Sequence, residues 1–168
     1  GALYHSQSIE GFYAHVPGLK VVIPSTPADA KGLLRAAVED PDPVLFLEPK
    51  KLYRLAKGPI PVGPHRVALG RAALRRTGDA LTIIAYGTMA HYAVEAADAL
   101  SAEGLEAEVL DLRTIRPLDW ASVEAAVKRT GKVLIVYEDN EFAGFGAEVA
   151  AQIGEKAFEW LDAPVRRY

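Results

Sequence analysis

The chain has 168 residues, of which 50% are hydrophobic and 24% charged, a balance typical of a globular rather than a disordered protein. Its 19 basic and 22 acidic side chains give a net charge of −3, so electrostatics offers no reason to expect nucleic acid or a membrane surface as a partner. The absence of cysteine excludes disulfides, thiolate zinc sites and a cysteine nucleophile. No apolar run reaches the roughly 20 residues of a membrane-spanning helix. The expected setting is a reducing compartment such as the cytoplasm.

The first regular pattern lies between residues 19 and 48 and predicts a strand, a helix and a second strand. The β-branched run LKVVI is typical of a buried parallel strand. Thr26 is a suitable N-cap, Pro27 suits the first helical position, and Asp29 favours the positive helix start. The segment PDP ends this helix before the strand VLFLE. This order predicts parallel pairing with a right-handed crossover.

Residues 54–66 carry three prolines and two glycines without a hydrophobic period, which is the composition of a linker. Beyond them the segments LTIIAYG, EAEVLDLR and KVLIVYE predict strands, and APVRRY begins a last one. Helices are predicted at 88–103, at 118–129 and from about Gly144, the last with Val149, Ile153 and Trp160 on its buried face. We therefore expect an α/β protein with two units, about 1–53 and 67–168.

Three turns occupy the position at which open parallel sheets hold ligands, beyond the carboxyl ends of predicted strands. They lie at 86–88, 111–119 and 138–146. None carries the glycine spacing of a dinucleotide-binding or Walker motif, so these turns do not predict a phosphate site.

Two groups of charged side chains in these turns leave alternatives open. Glu138, Asp139 and Glu141 could act as paired carboxylates, or they could form a solvated loop at a helix entry. Arg113 and Arg116 could grip an anion or the carboxylate of a partner, or they could be ordinary surface arginines.

His5 differs from the other histidines because small polar residues surround it. The opening stretch GALYHSQSIEGFYAH places Ser6, Gln7 and Ser8 beside it. A neutral imidazole there could give or take a proton near neutral pH. In the alternative interpretation Ser6 or Ser8 caps a helix and His5 merely precedes it. The remaining histidines are interpreted as surface or packing residues: His15, His65 and His91.

Several long motifs follow one another along both units: GALYHSQSIEGFYAHVPGLKVVIPSTPADAKGLLRAAVEDPDPVLFLEPKKLYR, YGT, EAEVLDLRTIRPLDW, TGKVLIVYED, GFGAEVAAQI and LDAPVRR. Together they resemble the β-subunit of the thiamin-diphosphate-dependent E1 component of 2-oxo acid dehydrogenase complexes, and most nearly the branched-chain (2-oxoisovalerate) type. The resemblance implies the second half of a transketolase-like pyrimidine-binding domain over 1–53, a linker over 54–66 and a transketolase C-terminal-like domain over 67–168. The two strands and two helices of the first unit are too few to cover both faces of a parallel sheet, and the second unit ends on a strand, so we expect the chain to be truncated at both ends.

In that family the histidine of the H-S-Q motif projects into the active site beside the cofactor. It takes part in proton handling around decarboxylation and reductive acylation of the lipoyl group. The resemblance therefore implies that His5 is catalytic. It also implies that Ser6, Gln7 and Ser8 support His5 by setting its tautomer through hydrogen bonds.

The branched-chain relatives also bind a monovalent cation, commonly potassium, near the end of the helix that contains DAKGLL. The corresponding residues here are Ala37, Asp40 and Asp42. Such a site is physically reasonable, because the last carbonyls of a helix lack intrahelical partners and carry partial negative charge. Asp42 stands where some relatives carry asparagine, and the family's remaining ligands precede Gly1.

The resemblance implies thiamin diphosphate with Mg²⁺ as the cofactor, held mainly by the α-subunit and by segments that precede Gly1. The glutamate that activates the aminopyrimidine belongs to those segments, so the chain alone is expected to be inactive. Expected partners are the E1 α-subunit, a second β-subunit, and the lipoyl and subunit-binding domains of the E2 acyltransferase, with no nucleic acid or membrane. The stretch EDNEF departs from the E-A-P-R-type residues that are commoner in the family.

The implied activity is decarboxylation of a branched-chain 2-oxo acid on thiamin diphosphate, followed by reductive acylation of lipoyl groups on E2. A pyruvate or acetoin dehydrogenase E1 β-subunit is the alternative enzyme. A module that serves mainly subunit assembly and E2 docking is an alternative of another class. The implied compartment is the bacterial cytoplasm, or the mitochondrial matrix in a eukaryote.

Overall fold

The computed structural model describes residues 4–168; the elements before residue 56 are called the first unit below and those after residue 72 the second. The first contains α1 (Glu10–Ala14), β1 (Lys20–Val22), α2 (Pro27–Glu39), β2 (Val44–Phe46) and α3 (Leu52–Leu55). The second contains β3 (Ala73–Arg76), β4 (Leu81–Ala85), α4 (Thr88–Ala102), β5 (Ala107–Asp111), β6 (Thr114–Arg116), α5 (Trp120–Thr130), β7 (Val133–Val136), α6 (Phe145–Lys156), a 3₁₀ turn (Phe158–Trp160) and β8 (Arg166–Arg167). In this part of the chain, no helix combines the length and apolar character needed to cross a membrane.

The strands form two sheets, and the central strand of each sheet has at least one parallel neighbour. In the small sheet β1 lies between β2, which runs parallel to it, and β6, which runs antiparallel. The larger sheet has the order β3-β5-β4-β7-β8, and within it only β3 runs antiparallel to its neighbour. The predicted α/β fold, with parallel strands in both units, is confirmed.

Strand β6 is the main departure of the fold from the prediction. The sequence predicts one strand over EAEVLDLR, whereas β5 ends at Asp111 and a new strand begins at Thr114. Arg113 has a φ of 56°, in the left-handed region, and this conformation interrupts the extended backbone. Because β6 then pairs with β1, the second unit supplies a strand to the sheet of the first.

Local side-chain contacts explain where the longer helices begin and end. The Thr26 hydroxyl accepts a hydrogen bond from the Asp29 N–H at 3.2 Å, and Pro27 occupies the first turn of α2, as the sequence predicts. Asp119 caps α5 in the same way by accepting from the Ser122 N–H at 3.3 Å. Gly131, with a φ of 64°, ends α5 in the left-handed conformation that glycine tolerates best.

The two units share one hydrophobic core. Val21 and Ile23 of the first unit pack in the same buried cluster as Ile84, Leu110 and Val123 of the second. Each such side chain stabilises the fold by about 1.5–3 kcal/mol when it leaves water. The segment between residues 56 and 72 contains no helix or strand, so the shared core and β6 hold the units together rather than the chain that joins them.

The end of α6 also differs from the prediction. The helix stops at Lys156, and Trp160 lies beyond it in the 3₁₀ turn with 46% of its surface exposed. Its indole ring lies under the Lys128 ammonium, 5.3 Å from the ring centroid. The prediction that Trp160 shares the buried face of Val149 and Ile153 is wrong, because that face ends with the helix.

Candidate active site

His5 lines an open cavity in front of α1. The cavity has a volume of about 380 Å³ and is lined by Tyr4, His5, Gln7, Ile9 and Lys50. Lys50 follows β2, so the cavity lies beyond the carboxyl end of a parallel strand, where open α/β sheets hold ligands. The structure thus places an ammonium group beside the same opening as the predicted catalytic imidazole.

The serines beside His5 do not cap α1. The N-cap residue of this helix is Ile9, which makes no side-chain cap hydrogen bond. The Ser8 hydroxyl donates instead to Glu10 Oε2 at 2.7 Å. The alternative in which His5 merely precedes a serine-capped helix is therefore wrong. The role of Ser6, Gln7 and Ser8 in setting the tautomer of His5 stays a prediction.

Glu10 connects this segment to the second unit. Its side chain is buried, and its Oε1 accepts a hydrogen bond from the Tyr86 hydroxyl at 2.7 Å. Tyr86 directly follows β4, and its ring packs edge-on against Phe145 with 6.2 Å between centroids. Burial, followed by the negative charge of Glu10, raises the pKa of Tyr86 far above its ordinary value. The phenol therefore stays protonated and remains a donor to Glu10.

A second connection between the units consists of buried ion pairs. The Arg75 guanidinium donates to Asp111 Oδ2 at 2.7 Å, to Ser25 Oγ at 3.0 Å and to Asp29. Arg113 Nη1 donates to Asp29 Oδ1 at 2.8 Å. Ser25 also donates to Asp111. Arg113 therefore binds a carboxylate of this chain. The sequence alone left open whether it would bind an external anion or the carboxylate of a partner.

Each charged side chain of this cluster has an oppositely charged partner. Burial raises the pKa of Asp29, but hydrogen bonds from Thr26 and Arg113 and the charge of Arg75 outweigh it and hold that pKa below its usual value. Complete burial raises the pKa of Asp111, and the charge of Arg75 offsets this only in part. Burial lowers the pKa of Arg75, but the two carboxylates outweigh it and keep the guanidinium charged. The cluster is therefore a structural ion-pair network.

The acidic residues of the 138–146 turn do not converge on a common point. Glu138 and Glu141 are exposed, and Asp139 accepts a hydrogen bond from the Asn140 N–H at 2.8 Å. Arg167 lies 3.7 Å from the Glu141 carboxylate. Over residues 4–168 no group of three or more His, Cys, Asp or Glu side chains could hold a metal ion. The geometry supports a solvated helix-entry loop.

Arg116 and the other histidines do not line the His5 cavity. Arg116 and His15 line a separate opening of about 590 Å³ between α1 and the first turn of α6. His91 Nε2 lies 2.6 Å from the Ser25 carbonyl oxygen and donates to it, while the ring of His65 packs on Gly32. The interpretation of these histidines as surface or packing residues agrees with their contacts.

The residues assigned to a potassium site lie together at the end of α2. The Asp40 N–H points to the Ala37 carbonyl oxygen at 3.4 Å, and the Asp42 N–H donates to Asp40 Oδ1 at 3.0 Å. The Lys20 ammonium contacts both carboxylates, at 2.6 Å for Asp40 and 3.0 Å for Asp42. It holds the pKa of Asp40 below its usual value by hydrogen bonding. The oxygen donors suit a cation, but in this geometry a lysine supplies the positive charge.

Both units match transketolase domains. Residues 1–56 match the transketolase pyrimidine binding domain. Residues 70–168, more than half of the chain, match the transketolase C-terminal domain. The chain belongs to the transketolase family. A split-gene transketolase described as an inactive β4 tetramer shares the transketolase fold, with a TM-score of 0.80 and 28% identity over 96% of this chain and 52% of that one.

Within this family the chain is similar to subunits of dehydrogenase complexes. It is 52% identical over 167 residues to 2-oxoisovalerate dehydrogenase subunit beta of Bacillus subtilis, covering 99% of the chain and 51% of the relative. Pyruvate dehydrogenase E1 component subunit beta of the same organism is 48% identical over 163 residues, covering 97% and 50%. The predicted resemblance to E1 β-subunits is confirmed. The chain spans about half the length of these transketolase-type relatives.

Three residues of the site escape the sequence analysis: Lys50, Glu10 and Tyr86. Glu10 occupies the first turn of a short helix, where an acidic residue is ordinarily exposed. Lys50 lies in the stretch EPKKLYR, which carries part of the resemblance but assigns no role to the lysine. Tyr86 offered the one usable signal, because a hydroxyl at the end of the apolar run LTIIA needs a buried hydrogen-bond partner.

Proposed function

We propose that the chain acts as the β-subunit of a 2-oxo acid dehydrogenase E1 component and that its substrate is a branched-chain 2-oxo acid. The identity of 52% to a 2-oxoisovalerate dehydrogenase subunit beta, against 48% to a pyruvate dehydrogenase subunit, favours the branched-chain substrate. The observation that carries the proposal is the open cavity in which His5 and Lys50 lie together. An exposed imidazole suits proton exchange, and a neighbouring ammonium suits an anionic substrate.

In this proposal His5 holds or delivers a proton at the open side of the cavity, and Lys50 attracts the carboxylate of the 2-oxo acid. Thiamin diphosphate with its Mg²⁺ supplies the carbanion-stabilising chemistry when bound. These two residues fit one wall of such a site, and the E1 α-subunit together with segments outside the described residues would hold the cofactor itself. For that reason we expect the chain alone to be inactive.

The proposal extends to partners and to a second step. After decarboxylation the acyl group would pass to the lipoyl group of an E2 acyltransferase. Exposed apolar side chains favour extensive assembly with an α-subunit and a second β-subunit: Phe12 of α1, with 77% of its surface exposed, and Leu34 and Val38 of α2, with 48% and 79%. This observation equally supports the second candidate function, a module for assembly and E2 docking. The relatives include bacterial and mitochondrial forms, and we propose a cytoplasmic or matrix location accordingly.

We also propose that Ala37, Asp40 and Asp42 contribute to a potassium site. Carbonyl and carboxylate oxygens are donors that replace the water around such an ion. Lys20 neutralises both carboxylates in the present geometry. A bound ion would therefore require Lys20 to turn away and further oxygen ligands from outside the described residues.

The central test is the change His5→Asn in the complete β-subunit assembled with its α-subunit. We expect the rate of 2-oxo acid decarboxylation to fall by about 10²–10⁴-fold, the usual contribution of general acid–base catalysis. Size-exclusion chromatography should show unchanged assembly. His15→Asn is the matched control, because His15 is exposed and does not line the cavity.

Two outcomes would contradict the proposal. One is wild-type turnover by the His5→Asn enzyme. The other is substantial decarboxylation by the 168-residue chain without an α-subunit. Loss of assembly together with intact turnover per assembled enzyme would favour the docking and assembly function instead.

A further inference from the structure

Glu10 is a buried carboxylate without a cationic partner in residues 4–168. Only 2% of its surface is exposed, and neither lysine nor arginine forms an ion pair with it in the described part of the chain. Removing a carboxylate from water costs several kcal/mol unless hydrogen bonds or opposite charges compensate. The contacts that compensate this cost therefore need to be identified.

Two hydroxyl groups provide the compensation, and they come from opposite sides of the site. Ser8 Oγ donates to Glu10 Oε2 at 2.7 Å, and the Tyr86 hydroxyl donates to Glu10 Oε1 at 2.7 Å. Each carboxylate oxygen therefore holds one donor. Ser8 belongs to the polar stretch that begins with His5, whereas Tyr86 follows the central strand β4 of the larger sheet.

The Tyr86 side of this bridge lies in the hydrophobic core. Tyr86 is 4% exposed, lies in the main core cluster and packs edge-on against Phe145 at the start of α6. The His5 side is open, because His5 and Gln7 are exposed and line the cavity. A buried anchor on one side and an exposed segment that carries the candidate catalytic residue on the other is the arrangement expected of a positioning contact.

We propose that Glu10 is a positioning residue for His5. Its carboxylate ties the segment that carries His5 to Tyr86 in the second unit and so sets where the imidazole lies in the cavity. This inference rests on the proposed catalytic role of His5. It assigns to the transketolase C-terminal-like unit a part in the active site, through a hydroxyl that never reaches the cavity itself.

The test compares Tyr86→Phe and Glu10→Gln in the complete β-subunit assembled with its α-subunit. Tyr86→Phe keeps the ring packing and removes one donor, while Glu10→Gln keeps the shape and one acceptor oxygen. We expect kcat for decarboxylation to fall by about tenfold to a hundredfold, as misplacement of a catalytic group by about 1 Å does, with KM changed less than about twofold. Tyr137→Phe is the matched control, since Tyr137 is a buried tyrosine of the same core whose hydroxyl accepts from Arg167 instead.

A second measurement reports position without activity. Hydrogen–deuterium exchange of the 168-residue chain should become faster over residues 4–14 in both variants and stay unchanged in Tyr137→Phe. Glu10→Leu, which removes both acceptor oxygens, should lower kcat further than Glu10→Gln, so that the conservative variant partly rescues activity.

The outcomes separate this inference from the proposed function. If His5→Asn loses activity while Tyr86→Phe and Glu10→Gln keep wild-type kcat, the positioning role is overturned and the function stands. If His5→Asn is fully active, the proposed function fails and the positioning role with it. If Glu10→Gln does not fold, Tyr86→Phe decides: unchanged kcat and unchanged exchange over residues 4–14 would overturn the inference.

Discussion

Two buried acidic clusters join the units of this chain, and they differ in the donors that surround the carboxylates. Asp29 and Asp111 are held by the charged guanidinium groups of Arg75 and Arg113. Glu10 is held by two neutral hydroxyl groups. Removing an arginine leaves uncompensated buried charge, whereas removing a hydroxyl leaves one acceptor unsatisfied. We therefore expect the ion-pair cluster to contribute more to the stability of the joined units, whereas the hydroxyl cluster is compatible with the proposed positioning of His5.

The largest effect is expected for Arg75→Met in the ion-pair cluster. The change leaves Asp111 without its cation and Asp29 with only Arg113, so the free energy of unfolding should fall by about 3–5 kcal/mol. Urea denaturation followed by circular dichroism measures this loss. A loss below about 1 kcal/mol would contradict the expectation that removing the arginine leaves a buried charge uncompensated.

An intermediate effect is expected for Asp119, a buried carboxylate that, like Glu10, forms no ion pair within residues 4–168 and is held mainly by hydrogen bonds. It accepts from the Ala72 N–H at 2.9 Å, the Ser122 N–H at 3.3 Å and the Ser122 hydroxyl at 2.7 Å. Burial raises its pKa, but these hydrogen bonds outweigh the burial and lower it below the ordinary value of 3.8. Asp119→Asn keeps the helix cap and removes the charge, so we expect a loss of about 1 kcal/mol at pH 7.

The pH dependence of that loss has a definite sign. Because the pKa of Asp119 is lower in the folded than in the unfolded chain, its carboxylate stabilises the fold above the unfolded pKa of about 3.8. This contribution disappears as the pH falls through the folded pKa. The difference between wild type and Asp119→Asn should therefore shrink on acidification below about pH 4, in urea titrations at several pH values. A difference that grows on acidification would show that the charge is not what stabilises the cap.

The smallest effect is expected at the surface, where an ion pair of the same chemistry as the buried cluster is exposed to water. Arg35 Nε lies 2.9 Å from Glu39 Oε1, one helical turn away on α2, and both side chains are about half exposed. Arg35→Ala should cost far less than Arg75→Met, and the cost should decrease at high NaCl concentration, where surface charges are screened. Arg75→Met should respond little to the same salt. Equal salt dependence of the two variants would contradict the assignment of Arg75 to a buried cluster.

Much of the fold was predictable from local pattern. The start of α2 follows from Thr26 and Pro27, because a cap and a fixed φ act on neighbouring residues only. The strands β4 and β7 follow from continuous apolar runs, as expected of parallel strands that are buried on both faces. Strand β6 was not predictable, because three residues carry no periodic signal and their pairing partner β1 lies far away in the chain.

The residues of the candidate site were likewise predictable from the sequence only in part. His5 stood out by its polar neighbours and by resemblance, and its assignment as catalytic remains a prediction. The position of Lys50 beside His5 is visible only in three dimensions, since 45 positions of chain separate the two and the sequence pattern assigns no role to the lysine. Arg113 was a candidate for binding an outside anion until the fold brought it to Asp29, 84 positions away.

By itself the sequence determined the α/β class, the order of the main strands and helices, and the transketolase-type relationship, because each depends on local periodicity or on motifs in chain order. Only the tertiary structure decided which charges are compensated within the chain. Glu10 looks like an ordinary first-turn acid, yet it is buried and accepts a hydrogen bond from the hydroxyl of Tyr86, 76 positions away. Burial and hydrogen bonding depend on distances between atoms in space, and the separation of two residues along the chain does not reveal those distances.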